Sequence, residues 1–237
     1  MSQINISLDD VKGIFKVLAK GEIASIFDTR TLAFLQQMHE QYGTVFDLFC
    51  TYKHDSYSLD LVSDKYIDEF LDNTSWLKFG FHCYDELDQY EKVDGKTFNQ
   101  MLNMFFRTIE FTTGQKSMPD KLRVHGFQGN EEVCKILYSK GVKTLFSSDD
   151  KRKNYYLDES TNAELFNTGS FYDSKNDISF YKSCTRLENS DDIEREIWDC
   201  VKKRMRIIPV FTHEWQMDKG EIREKFELCC RIGSELR

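Results

Sequence analysis

Ionisable side chains follow five of the segments that the sequence predicts to be β-strands, at the point where each strand ends. They are Asp9 and Asp10, His82, Arg123 and His125, Asp149 and Asp150, and His213 and Glu214. Ligands of parallel α/β folds bind at the carboxyl ends of the strands, so side chains at these positions converge in one place. A lone strand-end histidine is ordinarily structural, but three of the five histidines belong to this set, which indicates a site.

The chemistry that this set of residues supports is metal-assisted hydrolysis. Imidazole nitrogens and a carboxylate are the usual ligands of an open catalytic zinc site, which keeps one position for water. The metal lowers the pKa of that water from about 16 to about 7. A second carboxylate can then accept the proton of the water, and a histidine elsewhere can protonate the leaving group.

Two adjacent aspartates, Asp9 and Asp10, end the first predicted strand in the segment INISLDDV. Since neighbouring strand residues point in different directions, one carboxylate can face a metal while the other faces the water. A structural interpretation competes with this one, because the same pair can cap the helix predicted for VKGIFKVLA. Both interpretations stay open on the residues alone.

Strand patterns alternate with helix patterns along the chain. The predicted strands cover residues 4–8, 44–52, 76–82, 121–127, 142–148, 178–188 and 206–215. The predicted helices cover residues 29–43, 63–73, 96–113, 130–141, 190–205 and 219–235. Residues 149–176 are polar and turn-rich, and they predict a long loop or a small hairpin.

This alternation is typical of a parallel sheet with crossover helices. No strand is followed by G-x-G-x-x-G or by a Walker-type loop, so the usual phosphate-binding elements of nucleotide folds are missing from the sequence. The polar residues at the strand ends favour a barrel over an open sheet. We therefore predict one α/β barrel domain over residues 1–237.

Composition and charge exclude several classes of protein. With 237 residues, 40% of them hydrophobic, the chain can bury one sizeable core. The formal net charge is −8 and basic residues are interleaved with acidic ones, which is unlike a nucleic-acid-binding protein. A signal peptide and an apolar membrane span are both missing, so we expect a cytoplasmic protein without a membrane partner. The seven cysteines, with no C-x-x-C spacing, predict reduced thiols.

Five short motifs, taken in order over residues 4–215, resemble those of the polysaccharide deacetylases, carbohydrate esterase family 4. SLDDV is similar to the first motif of that family, in which an aspartate pair closes the first strand of a distorted (β/α)7 barrel. FGFH is similar to the second motif, and LRVHGF stands where the third carries an arginine. SSDD falls near the fourth motif, and VFTHEW resembles the last. WLKFGFH, SSDDKRKNYYL and FTHEW also resemble a divergent bacterial branch of the family.

The resemblance implies catalytic roles for several of these residues. Asp9 would be the general base, and Arg123 would orient it within a network that includes Asp149 or Asp150. His213 would be the general acid, and Asp150 would also contact the substrate. The implied reaction removes N-acetyl or O-acetyl groups from a carbohydrate by attack of metal-bound water.

The metal ligands that the resemblance implies are Asp10 and His82, and the cofactor is a divalent ion, with zinc as the first expectation. The third ligand is open. The second motif of the family has another histidine four residues after the first, whereas HCYDE places Glu86 there with Asp85 beside it. Either a carboxylate replaces that imidazole, or His125 reaches the site from the neighbouring strand. The alternate spacing of His125 from the arginine of LRVHGF favours His125.

The substrate and two alternative functions remain to be considered. The resemblance implies an acetylated carbohydrate or a small acetylated substrate, and Trp215, which follows the expected general acid, can stack on its sugar ring or acetyl group. A carbohydrate-binding or regulatory protein that kept the barrel and lost the chemistry is the main alternative, because the second-motif histidine is missing. A glycosidase is a poorer explanation, since its two carboxyls must lie roughly 5–10 Å apart across a sugar, and Asp9 and Asp10 are adjacent.

Overall fold

The computed structural model of the chain describes residues 2–237, in which ten strands form two sheets. The strands are β1 (Gln3–Val11), β2 (Phe46–His54), β3 (Tyr57–Ser58), β4 (Leu77–Asp85), β5 (Lys121–Leu122), β6 (Thr144–Ser147), β7 (Ser170–Asp173), β8 (Ile178–Lys182), β9 (Thr185–Arg186) and β10 (Ile207–His213). One sheet pairs β4, β2, β1, β10 and β9 in parallel, and the other pairs β5, β6 and β8 in parallel. β3 and β7 are antiparallel additions at the sheet edges.

The two sheets meet at two junctions where the strand ladder is interrupted. One junction lies between β8 and β9, where the backbone N–H of Ser183 donates to the carbonyl of Ser147 on β6 at 3.1 Å and that of Cys184 donates to the carbonyl of Pro209 on β10 at 2.8 Å. At the other, the side chain of Gln115 satisfies both backbone groups of Phe79 on β4, with distances of 2.8 and 2.6 Å. These bonds satisfy backbone groups that would otherwise be exposed sheet edges. Seven strands, β1, β2, β4, β5, β6, β8 and β10, therefore surround one interior in β/α order.

Within the described residues 2–237, eight α-helices connect the strands. They are α1 (Gly13–Leu18), α2 (Arg30–Tyr42), α3 (Ile67–Asp72), α4 (Gly95–Thr113), α5 (Glu131–Ser139), α6 (Glu159–Thr168), α7 (Ile193–Lys202) and α8 (Gly220–Glu235). The N-cap side chains of five of them accept a backbone N–H of the first turn, namely Thr29, Asp94, Asn130, Asp158 and Asp192. α2 ends at Gly43, whose φ of 64° suits glycine. Within residues 2–237, none of these helices has the length and apolar character needed to cross a membrane.

Aromatic side chains fix the longest helix to the barrel. Phe98 and Phe105 of α4 meet the ring of Phe81 on β4 edge to face, with centroid distances of 5.7 and 5.4 Å. All three are buried, and burial of one such side chain contributes about 2–3 kcal/mol. These apolar residues recur at helical spacing because one face of α4 packs on the core beside β4.

The strand predicted over residues 121–127 is wrong beyond Leu122. Gly126 and Phe127 have φ values of 63° and 58°, which lie in the left-handed region and cannot continue a strand. The chain instead forms a 3-10 turn that contains His125. His125 therefore reaches the strand ends from a turn. Its alternate spacing from Arg123, which favoured it as the third ligand, does not place the two residues on one side of a strand.

The loop or hairpin predicted over residues 149–176 is partly wrong. β7 does form a hairpin with β8, but α6 occupies the middle of this segment. Only Leu165 of α6 is buried, so the apolar periodicity that marks a helix in the sequence is weak here.

Asp47 lies on β2 at the amino-terminal end of the barrel and is 6% exposed. Burial raises the pKa of its carboxyl from 3.8 to about 6, although a 2.6 Å hydrogen bond from Asn5 opposes the rise. Between these two pKa values the folded state binds more protons than the unfolded chain, so stability falls as the pH rises from about 4 to about 6. The difference corresponds to about 3 kcal/mol of unfolding free energy.

We expect Asp47→Asn to raise the free energy of unfolding by about 1–3 kcal/mol near pH 7 and to leave it unchanged near pH 4. Asparagine keeps an acceptor for Asn5 but cannot ionise. Urea unfolding at both pH values measures the effect. Asp120→Asn, at an exposed position of the same barrel end, serves as the control and should stay within about 0.5 kcal/mol. Equal stability of wild type and Asp47→Asn at both pH values would contradict this assignment.

Candidate active site

Asp9 and Asp10 end β1 in a bulge. The register of β1 against β2 shifts between Leu8 and Val11, and Asp10 has a φ of 54° in the left-handed region. A regular strand would send the two carboxylates to opposite faces, whereas a bulge re-aims one of them. Aspartate tolerates this backbone region better than most residues, and such strained positions cluster at functional sites.

Asp10, His82 and His125 each bring one ligand atom into a group whose members lie within 4.8 Å of one another. His82 is buried on β4, and its Nδ1–H donates to the carbonyl of Arg123 at 2.7 Å. Because a carbonyl can only accept, Nε2 is the nitrogen left to face Asp10, whose Oδ1 lies 3.3 Å away. The ring of His125 is centred 5.3 Å from that of His82. A histidine whose second nitrogen donates to a carbonyl is the usual form of a metal ligand.

The donor set fits a divalent cation. Asp10 Oδ1 is buried without a hydrogen-bond partner among residues 2–237, which is costly unless a cation or proton faces it. Burial raises the pKa of the Asp10 carboxyl, but His82 and the other histidines lower it more, so the carboxyl is ionised. Burial lowers the pKa of His125, which leaves that imidazole neutral. Burial also lowers the pKa of His82, but Asp9 and Asp10 raise it more, so a metal would displace a proton there.

Glu86 and Asp85, the carboxylate alternatives for the third ligand, have other partners. Glu86 forms an ion pair with Lys12 and lies 3.2 Å from Nδ1 of His54. Asp85 lies 3.7 Å from the ammonium group of Lys53. Neither belongs to the ligand group formed within residues 2–237, so the geometry favours His125.

Arg123 is fully buried and holds Asp9. Its Nη1 donates to Asp9 Oδ1 and to Ser7 Oγ, each at 2.9 Å, and its Nη2 donates to Ser183 Oγ at 3.2 Å. The guanidinium carbon lies 3.9 Å from the ring centre of Phe211. Burying the charges of Arg123 and Asp9 costs free energy, and the hydrogen bonds offset this cost because they hold both groups in a fixed geometry. Arg123 thus positions the Asp9 carboxylate rigidly.

Asp149 and Asp150 do not join the Arg123 network, contrary to the expectation from the motifs. Asp149 accepts a 2.8 Å bond from Arg186, and Asp150 pairs with Arg152. Half of the Asp150 side chain is exposed, because the chain turns away from the barrel directly after β6. Arg152 and Arg186, rather than the two aspartates, line the cavity described below.

His213 lies at the end of β10 and is held by Glu188, a residue that the motif reading did not include. The Nδ1–H of His213 donates to Glu188 Oε1 at 2.5 Å, and the hydroxyl of Thr212 donates to Glu188 Oε2 at 2.7 Å. The second ring nitrogen, Nε2, lies 4.0 Å from Asp10 Oδ2. Glu188 lies two residues after the short strand β9, so the rule of ionisable groups at strand ends would have included it.

Two neighbouring cavities open around these groups. The smaller, of about 140 Å³, is lined by Asp9, His82, Arg123, Val124, His125, Gly126, Phe127, Arg152, Arg186, Phe211 and His213. The larger, of about 390 Å³, lies between Asp10, Lys12 and Trp215. The indole of Trp215 is 57% exposed and stacks on His213, with ring centres 5.6 Å apart. An apolar ring face therefore borders the larger cavity beside the ligand group.

Glu214 has a structural role at the start of α1. Its buried carboxylate accepts the backbone N–H groups of Lys12, Gly13 and Ile14 at 2.8, 2.5 and 2.6 Å. These are the donors that the first helical turn leaves unpaired, and a carboxylate also complements the helix dipole. A side chain at Gly13 would come within 2.9 Å of Glu214. Glu214 therefore caps α1, a role that the sequence alone left open to the aspartate pair.

We expect Glu214→Gln to lower the free energy of unfolding by about 1–3 kcal/mol, because the amide group turns one acceptor into a donor that faces other donors. Urea unfolding of the metal-free protein measures this loss. Asp218→Asn, a charge change on an exposed side chain of the same segment, should change the free energy by less than about 0.5 kcal/mol. Equal effects of the two substitutions would contradict the capping role.

Sequence comparisons find no match, whether to protein-family models or to curated proteins. Solved structures do match. A CE4 family pseudoenzyme from Bacillus anthracis aligns over 99% of this chain with a TM-score of 0.51 and 11% identity. A mutant of that pseudoenzyme with restored enzymatic activity aligns over 99% of this chain with a TM-score of 0.53 and 12% identity. This chain spans 61% and 63% of those two chains.

Two further structures show how far the likeness extends. A Mycobacterium smegmatis protein assigned to the polysaccharide deacetylases aligns over 96% of this chain and 83% of its own, with a TM-score of 0.54 and 12% identity. A 4-α-glucanotransferase from Thermococcus litoralis aligns over 96% of this chain and 38% of its own, with a TM-score of 0.52 and 13% identity. At such identities the likeness concerns the fold, and a fold alone does not fix the reaction. The predicted distorted (β/α)7 barrel is confirmed, and this chain shares its fold with solved structures of carbohydrate esterase family 4 at low sequence identity.

Proposed function

We propose that the protein is a metal-dependent hydrolase that removes acetyl groups from a carbohydrate. One arrangement carries the proposal: the ligand group of Asp10, His82 and His125 lies between two oriented proton-transfer groups. Asp9 on one side is held by a buried arginine, and His213 on the other is held by a carboxylate. Perturbed and oriented ionisable groups around a cavity are the usual mark of an active site.

Asp10, His82 and His125 would hold the metal. A divalent ion there, with zinc as the first expectation, would supply the Lewis acidity that activates water and polarises an acyl carbonyl. Arg123 engages Asp9 Oδ1, which leaves Asp9 Oδ2 to accept a proton from the attacking water. The buried ion pair keeps this carboxylate from rotating away from the site.

His213 would donate the proton that the leaving group needs. Glu188 accepts from Nδ1 of His213, so the opposite nitrogen, Nε2, is the one that faces the ligand group. A proton on Nε2 can pass to the nitrogen of an amide or to the oxygen of an ester as the acetyl carbon is released. The ionised carboxylate of Glu188 would also stabilise the positive charge that a proton donor at this position carries.

The larger cavity and Trp215 support a sugar as the substrate. An exposed indole face beside the ligand group offers the flat apolar surface on which a sugar ring or an acetyl methyl can pack. Acetate release from N-acetylated and O-acetylated oligosaccharides, measured after loading the protein with zinc, tests the proposal. We expect release with at least one of these substrates and none after the metal has been removed with a chelator.

A second candidate is a carbohydrate-binding protein without catalysis. Two observations favour it: structural neighbours include a pseudoenzyme, and Glu86 stands at the place of the second-motif histidine, engaged by Lys12. Calorimetric binding of the same oligosaccharides without acetate release from the zinc-loaded protein would support this candidate. It would also contradict the hydrolase.

A further inference from the structure

Cys184 and Cys200 form a close pair of thiols on the outside of the barrel. Cys184 lies directly before β9 and Cys200 lies near the end of α7, and both are half-buried free cysteines. Their sulfur atoms are 2.9 Å apart. We propose that this pair is a redox modification site, at which an oxidant joins β9 to α7 by a disulfide bond.

The two sulfur atoms already lie close to bonding distance. A disulfide requires a separation of about 2.0 Å, so the two sulfurs need to approach by only about 0.9 Å. The Cys184 thiol also donates to the carbonyl of Glu196 on α7 at 3.2 Å, which shows that its side chain points toward the helix. The backbone N–H of Cys184 is fixed to Pro209 on β10. The remaining cysteines, Cys50, Cys83, Cys134, Cys229 and Cys230, are buried.

The oxidant can be a low-molecular-weight disulfide such as oxidised glutathione. The Cys200 thiolate attacks one sulfur of that disulfide and releases one glutathione thiolate. The Cys184 thiolate then attacks Cys200 sulfur in the mixed disulfide and releases the second. Two electrons pass from the protein thiols to the oxidant, and the two thiol protons end on the two glutathione molecules.

Cys200 is the more reactive of the two thiols. The neighbouring Cys184 thiol and the charges of Lys182 and Lys203 lower the pKa of the Cys200 thiol, against the effect of burial. A thiolate near positive charge and within reach of solvent is the kind that exchanges with external disulfides. Cys184, the more deeply placed partner, then resolves the mixed disulfide.

The disulfide would tether the segment that carries two residues of the candidate active site. Arg186 and Glu188 follow Cys184 within four residues, and Glu188 holds the imidazole of His213. A covalent link from Cys184 to α7 closes a short loop and restricts the motion of this segment in the unfolded chain. Oxidation should therefore stabilise the protein, and we expect the midpoint of thermal unfolding to rise by about 5–10 °C.

Incubation of the full chain with oxidised glutathione, followed by intact mass and peptide mapping, tests this site. We expect wild type to lose two free thiols and two hydrogen masses, and a single linked peptide pair to contain Cys184 and Cys200. Cys184→Ser should instead retain one glutathione on Cys200. Cys134→Ala, which removes a buried thiol on α5, is the matched control and should form the disulfide as wild type does.

Two results would overturn the inference. One is wild type that keeps a stable glutathione adduct on Cys200 without forming the linked peptide. The other is oxidised wild type whose thermal midpoint equals that of reduced protein although the linked peptide has formed, which would show that the bond does not restrain the fold. Because wild type alone decides both results, they do not depend on the folding of any variant.

Discussion

Asp9→Asn is expected to lower acetate release by about 10²–10⁴-fold while the protein keeps its metal. Asparagine has nearly the same shape and still offers an oxygen to Arg123, but it cannot take a proton from water. Steady-state kcat/KM with the best acetylated substrate and metal content by elemental analysis measure the two quantities. Asp47→Asn is the matched control, because it makes the same change at a buried aspartate of the opposite barrel end.

A rate for Asp9→Asn within tenfold of wild type would remove Asp9 from the role of base. If the variant lost its metal as well as its activity, Asp9 would be a metal ligand. That result would conflict with the structure, in which Asp9 Oδ1 accepts a hydrogen bond from Arg123. The Asp47→Asn control separates both results from a general effect of replacing a buried carboxylate.

His125→Ala is expected to weaken metal binding by at least about 100-fold, whereas Glu86→Ala should leave it within about threefold. The histidine contributes one of three ligand atoms, and two bound ligands cannot hold an exchangeable ion tightly. Glu86 is instead engaged by Lys12 and His54, so its loss removes no ligand. Competition with a chromophoric chelator measures both affinities.

The reverse ranking of these two variants would contradict the assignment of the third ligand. It would mean that Glu86 leaves Lys12 when metal binds and that the turn carrying His125 plays no part. Equal and large losses in both variants would contradict it too, since Glu86 would then be needed as much as His125.

Much of the site could be predicted because strand ends of a parallel barrel converge. The structure brings together four of the predicted residues near the carboxyl ends of β1, β4 and β10, namely Asp9, Asp10, His82 and His213. The bulge at Asp10 could not be predicted from the alternation of apolar and polar residues. It requires a residue with left-handed backbone angles inside a strand, which that pattern does not reveal. His125 is the favoured third ligand in the sequence, but for the wrong reason, because the strand on which the prediction placed it ends three residues earlier.

The rest depends on contacts between distant parts of the chain. Glu214 ended a strand just as His213 did, yet its carboxylate is used by backbone groups 200 to 202 residues away. The pairing of Glu188 with His213 spans 25 residues and depends on how β9 joins β10. Neither pairing leaves a mark in one sequence, since each partner is a common residue in an ordinary local pattern.

Metal stoichiometry tests most directly whether Asp10, His82 and His125 form a binding site. Protein stripped with a chelator and dialysed against zinc, and separately against cobalt, can be analysed for bound metal beside His82→Ala. We expect one ion per chain in wild type, removable by chelator, and a visible cobalt spectrum that is lost in the variant. Wild type that stays metal-free at saturating zinc and cobalt, while correctly folded, would contradict the proposed metal site and the hydrolase built on it.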